Sequence, residues 1–220
     1  MNEQARQTAP CPDDILSQCA ALMARQGYSG TSMRDLARTT GRSLSGLYHY
    51  FANKEELLFL INQRGFSTLL ANAEKLQADY HADSERTARA DATAGLLHDL
   101  IRAHLDYFGS HLNEMRVLMF GTAPMSSSQG RIIRQVKDRY GRIMHFAVDQ
   151  YMQAHGRKAD QVEIERKTYL LFGMMNWIFG WYSYDEHGSV KQLAEDVFAT
   201  FTRGCLARLL SENMEDSSHE

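Results

Sequence analysis

Between Tyr28 and Lys54, the residues Arg34, Arg38, Arg42 and Lys54 stand against Asp35 alone, a local charge of +3 in a chain whose net charge is −3. Cations gathered in this way attract phosphate irrespective of sequence, whereas groups that reach base edges supply specificity. Thr31, Ser32 and Ser43 add hydroxyls to the same stretch, and Tyr48, His49 and Tyr50 add polar groups on aromatic rings. Leu44, Ser45 and Gly46 lie between them. Small residues let a backbone approach a groove, and Leu44 can meet a thymine methyl. A second concentration comprises Met174, Met175, Asn176, Trp177, Phe179, Trp181 and Tyr182, with Met115, Leu118, Met119 and Phe120 of the same character upstream. Met-rich aromatic walls suit an adaptable pocket for a small hydrophobic molecule. The same residues equally suit a helix core and a seam between subunits. Asn176 is a lone amide in an apolar stretch, and a buried amide requires partners.

Bond-making chemistry has no comparable support. His98, His104, His111, His145 and His155 are scattered, with no H-E-x-x-H and no cysteine at ligand spacing. No G-x-S-x-G, P-loop or G-x-G-x-x-G is present. No catalytic residue, metal site or cofactor is therefore expected. Cys11, Cys19 and Cys205 form no C-x-x-C and no even framework, which points to a reducing compartment. The N-terminus lacks a basic segment followed by an apolar run, so a cytoplasmic location is expected.

The elements that must position these groups are helical. Pro10, Pro12 and Pro124 are the only prolines, and β-branched runs are absent, so the fold class is all-α. Met33, Leu36, Ala37 and Thr40 fall at i, i+3, i+4, i+7, and Leu44, Leu47, Tyr48 and Phe51 repeat the spacing after Gly41. Two short stripes parted by a glycine predict a helix-turn-helix. Neither helix is long enough to stand alone in water. A first helix after Pro12 and a fourth over about 53–78 flank them. Further helices are predicted at roughly 86–110, 112–121, 129–155, 160–183 and 189–211, about nine in all. The eighth turns nearly all apolar from Tyr169 to Tyr182, too short for the roughly 20 residues of a bilayer span. An all-round apolar helix must be covered on every side. Residues 1–52 then form a head, 79–211 a larger domain, and 212–220 an acidic, disordered tail.

The stretch GYSGTSMRDLARTTGRSLSGLYHYFANKEELL resembles the N-terminal domain of the TetR family of bacterial transcriptional regulators. The resemblance rests on Gly27-Tyr28, Thr31, Leu36-Ala37, Gly41, Leu47-Tyr48, Phe51 and Lys54-Glu55, over about 50 residues. It implies an all-α homodimer that pairs through its last two helices, here the eighth and ninth. It also implies a ligand-binding domain behind each DNA-reading head. The helix from Ser43 to Tyr50 would be the recognition helix, with Leu44, Ser45 and Gly46 toward the bases and Tyr48, His49, Tyr50 and Lys54 toward phosphates. Thr31, Ser32, Arg34, Arg42 and Ser43 complete the DNA-binding set, and Arg34 matches a position that can reach a base edge. Arg42 departs from the pattern, which usually places an apolar residue there.

GMMNWIFGWYSYDEHGSV further resembles the N-W-x-x-x-W-Y stretch of TetR-family regulators of fatty-acid and aromatic-acid degradation, many of which respond to acyl-coenzyme A esters. That resemblance makes an acyl-coenzyme A ester the candidate effector. Met119, Phe120, Met174, Asn176, Trp177, Trp181 and Tyr182 would then bind it, and Arg131 and Arg134, with Arg139, Arg102 or Arg116, would meet its phosphates. The expected function is a ligand-released repressor on a palindromic DNA operator, not an enzyme and not membrane-bound. An all-α enzyme using the C-terminal pocket and a helical interaction protein are the alternatives.

Overall fold

The computed structural model describes residues 11–82, 90–120 and 126–216. The side chains of 90–92, 120, 127 and 205–216 fall outside that description, which leaves the side chains of Phe120 and Cys205 unplaced. The start of the helix predicted at 86–110 and Pro124 lie outside it too. Among the described residues there is helix and no strand. The helices are α1 (Asp13–Gln26), α2 (Met33–Thr39), α3 (Leu44–Tyr48), α4 (Lys54–Ala82), α5 (Ala90–Ser110), α6 (Leu112–Phe120), α7 (Ser127–Ala154), α8 (Gln161–Asn176), α9 (Tyr184–His187) and α10 (Val190–Asp216). They form two compact units, one of residues up to Ser67 with His111–Gln135, the other of Thr68–Ser110 with Val136 onward. The first half of α4 and all of α6 thus pack with the head, which the sequence had ended at residue 52.

In the first unit the expected stripes meet in one core. Ile15, Cys19 and Leu22 of α1, Leu36 of α2, Leu47 of α3, Phe51, and Leu57, Leu58 and Ile61 of α4 are buried together, with Val117 of α6. Polar groups close the helix ends. Ser32 caps α2 in a capping box with Asp35, and Ser43 Oγ accepts from Gly46 N–H at 3.0 Å. Gly27 ends α1 at φ +77° and ψ 158°, a conformation that only glycine adopts freely. Gly41, at φ +62°, makes the tight turn between α2 and α3.

A buried ionic cluster ties α1, α4 and α6 together. Arg64 Nη2 donates to Glu114 Oε1 at 3.0 Å and to Ser17 Oγ at 3.1 Å, and Ser17 Oγ donates to Glu114 Oε1 at 2.7 Å. Arg64 Nη1 reaches the Asp13 carbonyl and carboxylate, both at 3.0 Å.

In the second unit α10 packs chiefly on α5 and also on α8, while α5 packs on α8. The predicted eighth helix is not continuous. It ends at Asn176, and Trp177–Gly180 tighten into a 3-10 turn, with Trp181 N–H donating to Ile178 O. Gly180 and the run of bulky rings favour that tightening over another α-turn. The separate α9 begins just beyond the predicted end at 183, so among the described residues ten α-helices replace the nine expected. The last helix runs to Asp216, beyond the expected end at 211, and residues 217–220 lie outside the description.

The ionic cluster makes a stability prediction. Arg64→Ala leaves Glu114 buried without its cation and is expected to cost about 3 kcal/mol, whereas Arg64→Met with Glu114→Leu costs far less. Urea denaturation of the two variants separates these outcomes.

Candidate functional site

Burial of one side of α2 and α3 decides what the other side offers. Leu36 and Leu47 are fully buried, and Leu44 and Tyr50 pack partly against the same core. Arg34, Arg42, Ser45, Tyr48 and His49 are exposed. Tyr48 presents 40% of its surface, large for an aromatic on a core helix. α3 spans only Leu44–Tyr48, shorter than predicted, because Tyr50 N–H and Phe51 N–H both close onto Leu47 O.

The cations differ in their freedom. Arg38 pairs with Asp35 at 2.8 Å. Lys54 Nζ donates to Tyr28 O at 2.8 Å and sits 4.5 Å over the Tyr28 ring, an attraction between cation and π-face. Arg34 and Arg42 form no ion pair among the described residues and point outward. Thr31 is a correction: it is 1% exposed and its hydroxyl donates to Gly27 O at 2.8 Å, so it shapes the turn instead of meeting an outside partner. Ser32 and Ser43 spend their hydroxyls on helix caps. Hydrogen bonds from Ser32 hold the Asp35 carboxyl below its ordinary range.

The candidate pocket residues divide between the units. Met119, Arg131 and Arg134 belong to the first and are exposed. Met174, Asn176, Trp177, Trp181 and Tyr182 belong to the second. Arg139 is committed to an ion pair with Glu74, and Arg102 lies 3.7 Å from Asp106, so neither is a spare phosphate ligand. Because the helix breaks at Asn176, Trp177 and Trp181 do not share a helix face. Trp177 meets Phe179 edge-on and Trp181 meets His187 edge-on, and both remain largely exposed. Tyr182 is buried, and its hydroxyl donates to Gly188 O at 2.8 Å.

Asn176 does find a partner. His104 Nε2 lies 3.1 Å from Asn176 Oδ1, and His104 Nδ1 lies 2.8 Å from the Tyr140 hydroxyl. His104 is 3% exposed and stacks on Phe108 with ring centroids 4.3 Å apart. Burial pushes the imidazole down to about 4 and lifts the Tyr140 hydroxyl far above its usual range. Beside the chain runs a narrow crevice, too tight for a water molecule, lined by Leu69, Asn72, Ala73, Leu100 and Ala103 together with His104 and Tyr140. His104 and Tyr140 escaped sequence reasoning because they are 36 residues apart and 72 and 36 residues from Asn176, beyond any helical period. No group of three or more His, Cys, Asp or Glu among the described residues could hold a metal ion. No described helix is long and apolar enough to cross a membrane.

The model for bacterial regulatory proteins of the tetR family matches residues 15–61, and that for the tetracyclin repressor-like C-terminal domain matches residues 92–205. The chain belongs to the TetR family. The TetR head match covers α1 to α3 and the start of α4. Among curated relatives, the uncharacterized HTH-type regulator YuxN of Bacillus subtilis is 24% identical over 69% of this chain, a stretch spanning about half (48%) of the relative's own length. An uncharacterized HTH-type regulator of Haemophilus influenzae is 40% identical over 29% of this chain and 34% of its own. Among solved structures, the TetR regulator PfmR of Thermus thermophilus superposes with a TM-score of 0.73 at 24% identity, over 87% of this chain and 98% of PfmR. AibR, solved with isovaleryl coenzyme A and operator DNA, superposes at 0.69 and 23% identity, over 85% of this chain and 95% of AibR. At those identities the likeness shows the TetR fold.

The neutral imidazole in the TetR C-terminal unit sets a pH dependence. Unfolded histidine binds its proton below about 6.5 and folded His104 only below about 4, so between these values the unfolded state holds the extra proton. Stability is expected to fall by up to about 3 kcal/mol as pH drops from 6.5 to 4 and to lose nothing more from this residue below that. His104→Phe should flatten that segment in denaturation measured across the range.

Proposed function

We propose that the protein is a homodimeric transcriptional repressor that α3 docks in the major groove of a palindromic operator and that a small hydrophobic effector releases. The observation that carries the DNA reading is the split face of α2 and α3. Leu36 and Leu47 are buried, while Arg34, Arg42, Tyr48 and His49 stand exposed around the helix-turn-helix. Arg34 reads a base edge, Arg42 and the rings of Tyr48 and His49 meet phosphate, and the small Ser45 and Gly46 let the backbone close in. Lys54 adds its charge from the Tyr28 carbonyl. With no Asn, Gln or cation among Leu44, Ser45 and Gly46, DNA shape carries part of the specificity.

Dimerisation is supported by α8. Val162, Tyr169, Leu170, Gly173 and Trp177 are exposed at i, i+7, i+8, i+11 and i+15, one face that also carries the exposed Arg166. A side chain added at Gly173 would meet only open space, so a partner helix can approach there. The face lies beside α10, onto which Lys167 reaches to donate to Gly204 O.

The effector reading leans on the N-W-x-x-x-W-Y stretch and on the fold shared with AibR, which was solved with isovaleryl coenzyme A. An acyl-coenzyme A ester is the proposed class, with Met174 and Asn176 among the acyl-side residues. Release needs a differential affinity of about 1–3 kcal/mol between the DNA-bound and released conformers.

Fluorescence anisotropy on an operator selected from random duplexes tests the DNA reading. The logarithm of affinity should fall linearly with the logarithm of salt. Arg34→Ala should weaken operator binding by about 1–3 kcal/mol and lower the ratio of operator to random-DNA affinity; an unchanged ratio removes Arg34 from base reading. Leu170→Glu should raise the dimer dissociation constant by about 100-fold in analytical ultracentrifugation, since a glutamate buried at the seam has no partner.

A further inference from the structure

We infer that Tyr140, His104 and Asn176 form a reversible hydrogen-bond relay that reads the effector's carbonyl oxygen and reports it to the end of α8. The inference rests on the effector reading above. Each member can both donate and accept. In one polarity the Tyr140 hydroxyl donates to His104 Nδ1 and Nε2–H donates to Asn176 Oδ1, across 2.8 Å and 3.1 Å. Tyr140 then shows a ligand only lone pairs. In the other polarity Nδ1–H donates to the Tyr140 oxygen, the Asn176 amide turns over so that its NH₂ donates to Nε2, and the Tyr140 O–H is released to donate outward. The exchange takes one proton from Nε2 and places one on Nδ1, through solvent while the crevice is open. The imidazole is neutral before and after.

The surroundings give that switch a direction. Leu69, Ala73, Leu100 and Ala103 are apolar and Asn72 is exposed, so His104 and Tyr140 are the buried polar groups that line the crevice. A carbonyl accepts and cannot donate, so it binds only the second polarity. The crevice is closed to water as it stands, so the ligand must select an open conformer. At the far end, Asn176 is the last residue of α8, and the 3-10 turn begins at Trp177. Trp177 is 57% exposed and continues the apolar face of α8. Turning the amide over at that residue therefore couples ligand chemistry to the helix end beside the proposed dimer seam.

The test compares isovaleryl coenzyme A with S-isopentyl coenzyme A, a thioether that lacks the carbonyl oxygen, in release of the full-length dimer from operator DNA. The wild type should respond to the thioester at about tenfold lower concentration than to the thioether. Tyr140→Phe should treat the two compounds alike. Nitrogen-15 spectra of the wild-type protein should show His104 exchanging its protonated nitrogen from Nε2 to Nδ1 on adding the thioester, a readout that stands even where Tyr140→Phe fails to fold. If neither compound releases the wild type, the acyl-coenzyme A reading falls and the inference with it. Should the thioester release the wild type while Tyr140→Phe still discriminates, or the His104 nitrogens keep their states, the inference alone is overturned.

Discussion

A helix of seven residues and one of five cannot persist in water, because each forms too few hydrogen bonds to offset the ordering of its backbone. α2 and α3 exist because Leu36, Leu47 and Phe51 are sealed against α1 and α4, at roughly 1.5–3 kcal/mol for each side chain. Ser32 and Ser43 then satisfy amides that a short helix leaves bare. That constraint also orients the surface. Once the apolar stripe faces inward, Arg34, Arg42, Tyr48 and His49 have only the outside left to them. The face proposed to meet DNA follows from the way the core holds two helices that would otherwise melt.

Legibility in the sequence follows the range of the forces involved. Stripes, caps and the Gly41 turn depend on neighbours within four residues, and the head could be read from them nearly helix by helix. Thr31 went astray because a hydroxyl beside a cap looks the same whether it faces solvent or, as here, bends back to Gly27 O. Non-local pairings left no trace at all. Ser17 and Glu114 are 97 residues apart, and the commitment of Arg139 to Glu74 spans 65. For Asn176 the need for a partner was visible in its apolar surroundings, but the identity of that partner was not.

Two buried polar groups of three residues solve the same problem by different physics. Around Arg64 the members are charged, so the desolvation cost is met by opposite charge and by a hydroxyl that both accepts from Arg64 and donates to Glu114. Such a cluster has one good arrangement and acts as a fixed joint between α1, α4 and α6. Around His104 the members are neutral, held so by burial. Neutral donors and acceptors can reverse polarity without creating an uncompensated charge. Rigidity therefore suits the unit proposed to read DNA, and reversibility suits the unit proposed to bind the effector.

The break at Asn176 resolves a conflict that an unbroken helix could not. A continuous apolar helix from Tyr169 to Tyr182 would have to be covered on every side. By ending α8 and tightening the next turn, the chain buries Ile178 and Phe179 in its own core and leaves Tyr169, Leu170 and Trp177 outward. The inward set needs no second subunit, whereas the outward set is the face proposed above for dimerisation. Asn176 sits at the boundary between the two sets, bonded inward to His104 and joined by one peptide bond to Trp177. A change in the interior hydrogen bonding that reaches Asn176 has no further to travel before it bears on the apolar face of α8.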